Sequence, residues 1–304
     1  MVALFLLIAL SILGQIAHGW GYHESCKSIE SELKAAMLVV FRRAKDASKA
    51  IETLPRNQNI EVLIKLLFGE DQNTIEDARV RLESIQFMDV FNSNRPDPYD
   101  VIIYCTTDRI TDTKDKKGVR DGYRDPDRKN DVEGFANMDN CRDENHQGDA
   151  STRALTINKG KKTENGKPTR EVDPDTIQLC PWFLKQIAGP PPTYEVTDDL
   201  VKKAAAMKAK SLLKKFVSKL SNEVATPVDS LAGFEHVLLH EMMHSATALY
   251  ADDKPDKRCY GWKHCGKCKR SDNADSLAYF ALAVELAYYR SYTVNKDGTL
   301  QKIA

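Results

Sequence analysis

The chain has 304 residues, 42% of them hydrophobic, with 44 basic and 44 acidic side chains that cancel to a net charge of zero. That hydrophobic content excludes a disordered chain and is enough to bury a core. Neutrality gives no reason to propose nucleic acid or an anionic surface as the main partner.

Residues Met1 to Gly19 contain an apolar run, carry no Asp, Glu, Lys or Arg, and end in the small-x-small run Ala17-His18-Gly19. This is the pattern of a secretory signal peptide (1–19) cleaved before Trp20. The apolar core is shorter than the roughly 20 residues a spanning helix needs, and no later stretch is long and apolar enough, so stable membrane insertion is not expected. The remaining 20–304 reads as one secreted, extracellular, monomeric domain, with a helical part (20–98) and a part holding sheet and site (99–304). All seven cysteines lie in it: Cys26, Cys105, Cys141, Cys180, Cys259, Cys265 and Cys268. A secreted chain makes disulfide bonds the expected use, with one thiol left over.

From Ser28 to Ile51, apolar residues at Leu33, Met37, Val40, Phe41 and Ala44 recur at helical spacing, and Pro55 closes the run. Glu61–Phe68 and Thr74–Phe87 read as two further helices. After Arg95-Pro-Asp-Pro98 the pattern changes. Tyr99–Cys105 is a short β-branched run, a strand. Residues 106–150 are dense in charge and glycine. Asp121, Asp125, Asp127, Asp131 and Asp139 lack the ordering of a calcium loop, so a solvated loop is expected. Arg153–Asn158 and Asp175–Leu184 read as two more strands, joined by a Lys/Gly-rich hairpin tip or insertion at Lys159–Thr169. Asp198–Leu220 is a lysine-loaded helix read as the solvated face of a packed element. A last helix is expected at Asn273–Tyr292. The order of elements gives an α+β fold class, with a helical N-terminal part, a small antiparallel or mixed sheet, a motif helix and a C-terminal helix.

The motif is His240-Glu241-Met242-Met243-His244, inside the apolar helical run Leu231–Leu249. Residues i and i+4 lie one above the other on a helix, so both imidazoles can bind one metal ion. Glu241 then lies beside the open coordination position as general base. This is the pattern of a zincin-like zinc metalloendopeptidase (one Zn2+) acting on protein or peptide substrates. Gly and His at the third and sixth residues after His244 would complete a metzincin set. Thr247 and Tyr250 stand there, so that class is excluded. Glu285 could serve as a ligand from a later helix, but suits a structural partner at least as well. Otherwise the third ligand is one of the loop residues Asp252, Asp253 or Asp256.

Asp256-Lys-Arg-Cys-Tyr260-Gly261-Trp, Asn273-Ala-Asp-Ser276 and Cys180-Pro-Trp-Phe183 resemble the deuterolysin family of aspzincin metalloendopeptidases, which includes lysine-specific secreted fungal proteins. The likeness is clearest over 230–292 and only architectural before 99. It implies zinc held by His240, His244 and a loop Asp. The family's ligand stands three residues before the Tyr, where this chain has Lys257. Either Asp256 ligates from a loop one residue longer, which is the expected arrangement, or Asp253 does. Tyr260 can stabilise the oxyanion. The resemblance further implies that Asp275 helps form an acidic substrate pocket. Ala278 stands where the second acidic residue would be, leaving at most a mild basic preference. It also implies the disulfides Cys26–Cys105 and Cys141–Cys180, with Cys259 paired to Cys265 or Cys268. A secreted binding or effector protein without turnover is the alternative reading. An intact motif counts against it, because loss of catalysis commonly removes the Glu or a ligand.

Overall fold

A computed structural model describes residues 19–89, 91, 101–126, 130–132, 135–142, 152–158, 163–164, 167–168, 174–189, 194–207, 226–253 and 259–303. The leader read at 1–19 (all but its last residue), the lysine-rich stretch beyond 207 and Asp256 lie outside them. The architecture is α+β. Strand β1 (Trp20–Tyr22) leads through a short 3-10 turn into helices α1 (Glu30–Glu52), α2 (Gln58–Leu67) and α3 (Gln72–Gln86). The apolar stripe read in the sequence is the buried face of α1, with Leu33, Met37, Val40, Phe41 and Ala44 all inside. Asn57 and Asp71 cap α2 and α3, each accepting a backbone N–H of the first turn at 2.8 Å.

The main sheet has the order β1-β2-β9-β6, where β2 is Val101–Tyr104, β6 is Ala154–Ile157 and β9 is Asp175–Leu179. β1 and β9 both run parallel to β2, and β6 closes one edge antiparallel to β9, with Thr156 opposite Ile177. β9 is buried along its whole length. Two sequence expectations change here. The run read as one strand over 175–184 stops at Leu179, and helix α5 (Pro181–Ile187) follows, because Pro181 takes a first-turn position where no backbone donor is needed. The segment 106–150 is not simply a loop. It holds the antiparallel sheet β3-β4-β5 (Thr111–Lys114, Arg120–Asp125, Asn130–Val132) and helix α4 (Phe135–Arg142). In β4, Tyr123 and Asp125 point inward and Arg124 outward, the alternation of a half-buried strand. Asp125 accepts from Arg109 Nε at 2.9 Å, and Asp139 from the Tyr123 hydroxyl. These acids answer to side chains of the fold. A two-residue ladder, β7 (Thr163–Glu164) with β8 (Lys167–Pro168), occupies the expected hairpin tip.

Helix α6 (Asp198–Ala206) and a 3-10 turn (Val228–Leu231) precede α7 (Phe234–Met243), whose ten residues are all buried. Helix α8 (Trp262–Cys268), helix α9 (Ala274–Tyr289) and a hairpin of β10 (Tyr292–Val294) and β11 (Leu300–Lys302) complete the chain. At the centre, Arg43 of α1, itself 1% exposed, joins Glu235 of α7 (2.5 Å) and Glu285 of α9. Glu285 is thereby a structural partner. Three disulfides are present: Cys26–Cys105, Cys141–Cys180 and Cys259–Cys268. Cys265 is the buried free thiol. Among the described residues no helix is long and apolar enough to cross a membrane.

Candidate metal centre

Helix α7 carries His240 and Glu241, and His244 is its C-cap. The chain then reverses. Leu249 and Tyr250 both adopt left-handed backbone (φ 61° and 51°), a conformation costing roughly 1–2 kcal/mol for a non-glycine residue. Local bonds offset that cost. Tyr250 N–H donates to Ser245 O (3.0 Å), Ala251 N–H to Met243 O (2.9 Å), and Arg81 of α3 donates to the carbonyls of Ala248 and Leu249, both at 3.0 Å. The reversal brings Ala251 O to 2.6 Å from His244 Nδ1. Asp252 then pairs alongside Asn273 at the start of α9, with its N–H on Asp272 O at 2.6 Å. Asp253 is thus delivered over the motif.

His240, His244 and Asp253 form a group that can hold a metal ion. The two Nε2 atoms are 3.2 Å apart, His244 Nε2 is 3.1 Å from Asp253 Oδ2, and His240 Nε2 is 3.6 Å from Asp253 Oδ1. Tetrahedral N and O ligands at about 2.0–2.1 Å from an ion stand about 3.3–3.4 Å from one another; the two Nε2 atoms are at such a spacing, and each Asp253 oxygen lies close to one of the rings. The donor chemistry agrees. Each Nδ1 faces an acceptor, Ala251 O for His244 and Asp275 Oδ1 at 3.3 Å for His240. Neutral rings with Nδ1–H direct two lone pairs at each other across 3.2 Å, which favours a cation between them. Asp253 Oδ1 is buried with no hydrogen-bond partner, the condition of an atom aimed at an ion. Asp253 is the alternative third ligand of the sequence reading; Asp256 lies outside the described residues.

Burial works against charge on both imidazoles, but Asp253 outweighs it and raises their pKa values. The two rings in turn hold the Asp253 carboxyl far below the usual range despite its own burial. The Tyr260 hydroxyl donates to Asp253 Oδ2, and its ring lies beside that of His240, centroids 5.6 Å apart. Burial, with the charge of Asp253, pushes the Tyr260 phenol far up, so it remains a proton donor. Glu241, 5% exposed, faces β6, where Thr156 Oγ1 lies 2.7 Å from its Oε2 and 2.9 Å from its carbonyl O.

Asp275, expected in a substrate pocket, is 5% exposed at the start of α9, and both of its oxygens have partners inside the protein. Oδ1 meets His236 Nε2 (3.2 Å) and His240 Nδ1 (3.3 Å), and Oδ2 accepts the Gly261 N–H (2.7 Å). Gly261 has φ 78°, which frees its N–H for Asp275 while the next N–H, of Trp262, reaches Asp229 at 3.0 Å. Asp275 therefore ties a candidate ligand to the turn that carries Tyr260. Sequence reasoning missed Thr156 and His236. Thr156 carries no signal in its strand. His236 sits one turn before His240 on the same helix face, a legible spacing that an apolar helix disguises as core. Comparison with family models, with curated proteins and with solved structures returns no match to this chain.

Proposed function

We propose that this chain is a zinc-dependent endopeptidase of zincin-like, deuterolysin-related type, using Asp253 as third ligand together with His240 and His244. One observation carries the reading: two imidazole Nε2 atoms and a carboxylate converge at 3.1–3.6 Å, with Glu241 following His240 on the same helix. The N/O donor set suits zinc. When bound, zinc lowers the pKa of water to about 7 and polarises a carbonyl. Glu241, oriented by Thr156, takes the proton of the attacking water and passes it to the leaving amine. Tyr260, kept protonated, donates to the oxyanion that develops on the scissile carbonyl. Asp275 holds His240 by its Nδ1, so the basic-residue pocket is not carried forward. The leader-like Met1–Gly19 and three disulfides support an extracellular, oxidising location.

The test is zinc content and casein cleavage of the purified chain lacking residues 1–19, beside Glu241→Gln. The expected result is about one zinc per chain in both, with cleavage only in the parent. Stoichiometric zinc without cleavage at any pH would replace this reading with that of a secreted binding protein on the same scaffold.

A further inference from the structure

The motif helix carries a third histidine in register, His236, four residues before His240 and eight before His244. Its ring is 4% exposed and packs beside Tyr279, centroids 4.4 Å apart. Nε2 lies 3.2 Å from Asp275 Oδ1, and Nδ1 is buried with no partner. That is a costly residue for a core, because an aliphatic side chain would leave no bare acceptor. Burial pushes the imidazole pKa down in spite of Asp275, so the ring is neutral. Nε2 faces a carboxylate oxygen and Nδ1 has no partner, so the proton of His236 sits on Nε2. The same Oδ1 atom that receives this proton faces His240 Nδ1 at 3.3 Å.

We infer that His236 is a positioning residue of the metal centre. By holding Asp275 Oδ1 in place, it keeps the Nδ1–H form and orientation of His240 and leaves His240 Nε2 to the cation. Partners in this outer position commonly change metal affinity 10–100-fold. The inference rests on the metal reading above and adds a residue that neither the motif nor the cluster contains.

The test measures zinc affinity of the metal-free protein by competition with a chromophoric chelator, and the visible spectrum of its cobalt form. His236→Leu removes the donor. His236→Asn places an amide near the Nδ1 position, too short to reach Asp275. His236→Gln restores a donor near Nε2. The expected result is zinc binding weakened about tenfold or more in the Leu and Asn variants with an altered cobalt spectrum, and affinity within about threefold of the parent for Gln. If Leu fails to fold, Asn against Gln carries the comparison. Parent-like affinity and spectrum in Leu or Asn, or a Gln variant as weak as either, would overturn the inference while leaving the metal centre standing. A parent that binds no zinc would instead overturn the metal reading and this inference together.

Discussion

Thr156 holds Glu241 from the neighbouring sheet: its hydroxyl lies 2.7 Å from the Glu241 carboxylate and 2.9 Å from the same residue's carbonyl. The hydroxyl has one proton to share between these acceptors, so it links edge strand β6 to helix α7 through the residue proposed as general base. Thr156→Val keeps the shape and removes the donor. The expected effect is a fall in kcat of about tenfold or more, part of the 10²–10⁴ that a positioned base supplies, with KM and zinc content little changed. Thr156→Ser should retain most of the activity. Steady-state kinetics on a peptide substrate, with zinc measured on the same samples, check this. A Val variant with parent kcat would remove Thr156 from the mechanism.

Several of these relationships were legible in the residues and others were not, for physical reasons. The stripe from Leu33 to Ala44 reads as helix because its period is that of the helix that buries it. The i,i+4 pair His240 and His244 reads as a metal site for the same reason. The strand at 175–179 is visible in its β-branched run, but its end depends on Pro181, whose preference for a helix's first turn looks from sequence like a simple break. β4 is hidden because arginine and aspartate fill positions that only its pairing makes inward or outward. The delivery of Asp253 rests on two left-handed residues, Leu249 and Tyr250, of types that give no hint of such a turn. Arg81, far away in sequence, completes it.

Asp253 carries the third-ligand assignment, and the loop offers a direct contrast. Asp253→Asn removes the charge facing both imidazoles at 3.1 and 3.6 Å. Zinc affinity should fall by more than the roughly 10–100-fold typical of losing an outer partner. Asp256→Ala should bind zinc within a few-fold of the parent. Chelator competition on the two variants reads the difference. The opposite ranking would return the role to Asp256.

The Arg43–Glu235–Glu285 cluster joins α1, α7 and α9 beneath the site, with side-chain exposures of 1%, 4% and 4%. Arg43→Met would leave Glu235 buried without its cation and Glu285 with only the half-exposed Arg42, 3.3 Å away. Breaking a buried pair from one side typically costs about 3–5 kcal/mol. Glu235, already pushed up by burial, would then fold in its protonated form. Urea unfolding should show a loss of that size. Replacing all three together (Arg43→Met, Glu235→Gln, Glu285→Gln) should recover much of it, since no unpaired charge remains. A single variant as stable as the parent would mean the cluster contributes nothing to holding α7.

The pH dependence of the metal-free protein follows from the same groups. His240 and His244 are raised by Asp253 against the opposing effect of burial. A raised imidazole adds stability below its unfolded pKa of about 6.5 and loses it as pH rises through the folded value. Asp253 is depressed by the two rings, so its contribution is present above about pH 3.9 and fades only as pH falls through the lower folded value. His236, lowered by burial, has the opposite sign to the other two histidines: it costs stability below about 6.5 and nothing above. With two rings against one, the chelated protein should have its highest Tm at mildly acid pH and lose stability from about neutrality upward. Zinc requires the neutral imidazoles, so its stabilising increment should grow over that same interval. Scanning calorimetry from pH 5 to 9, with chelator and with excess zinc, should give two curves that diverge toward alkaline pH. Curves that stay parallel would show that the cation and the imidazole protons do not compete for the same nitrogens.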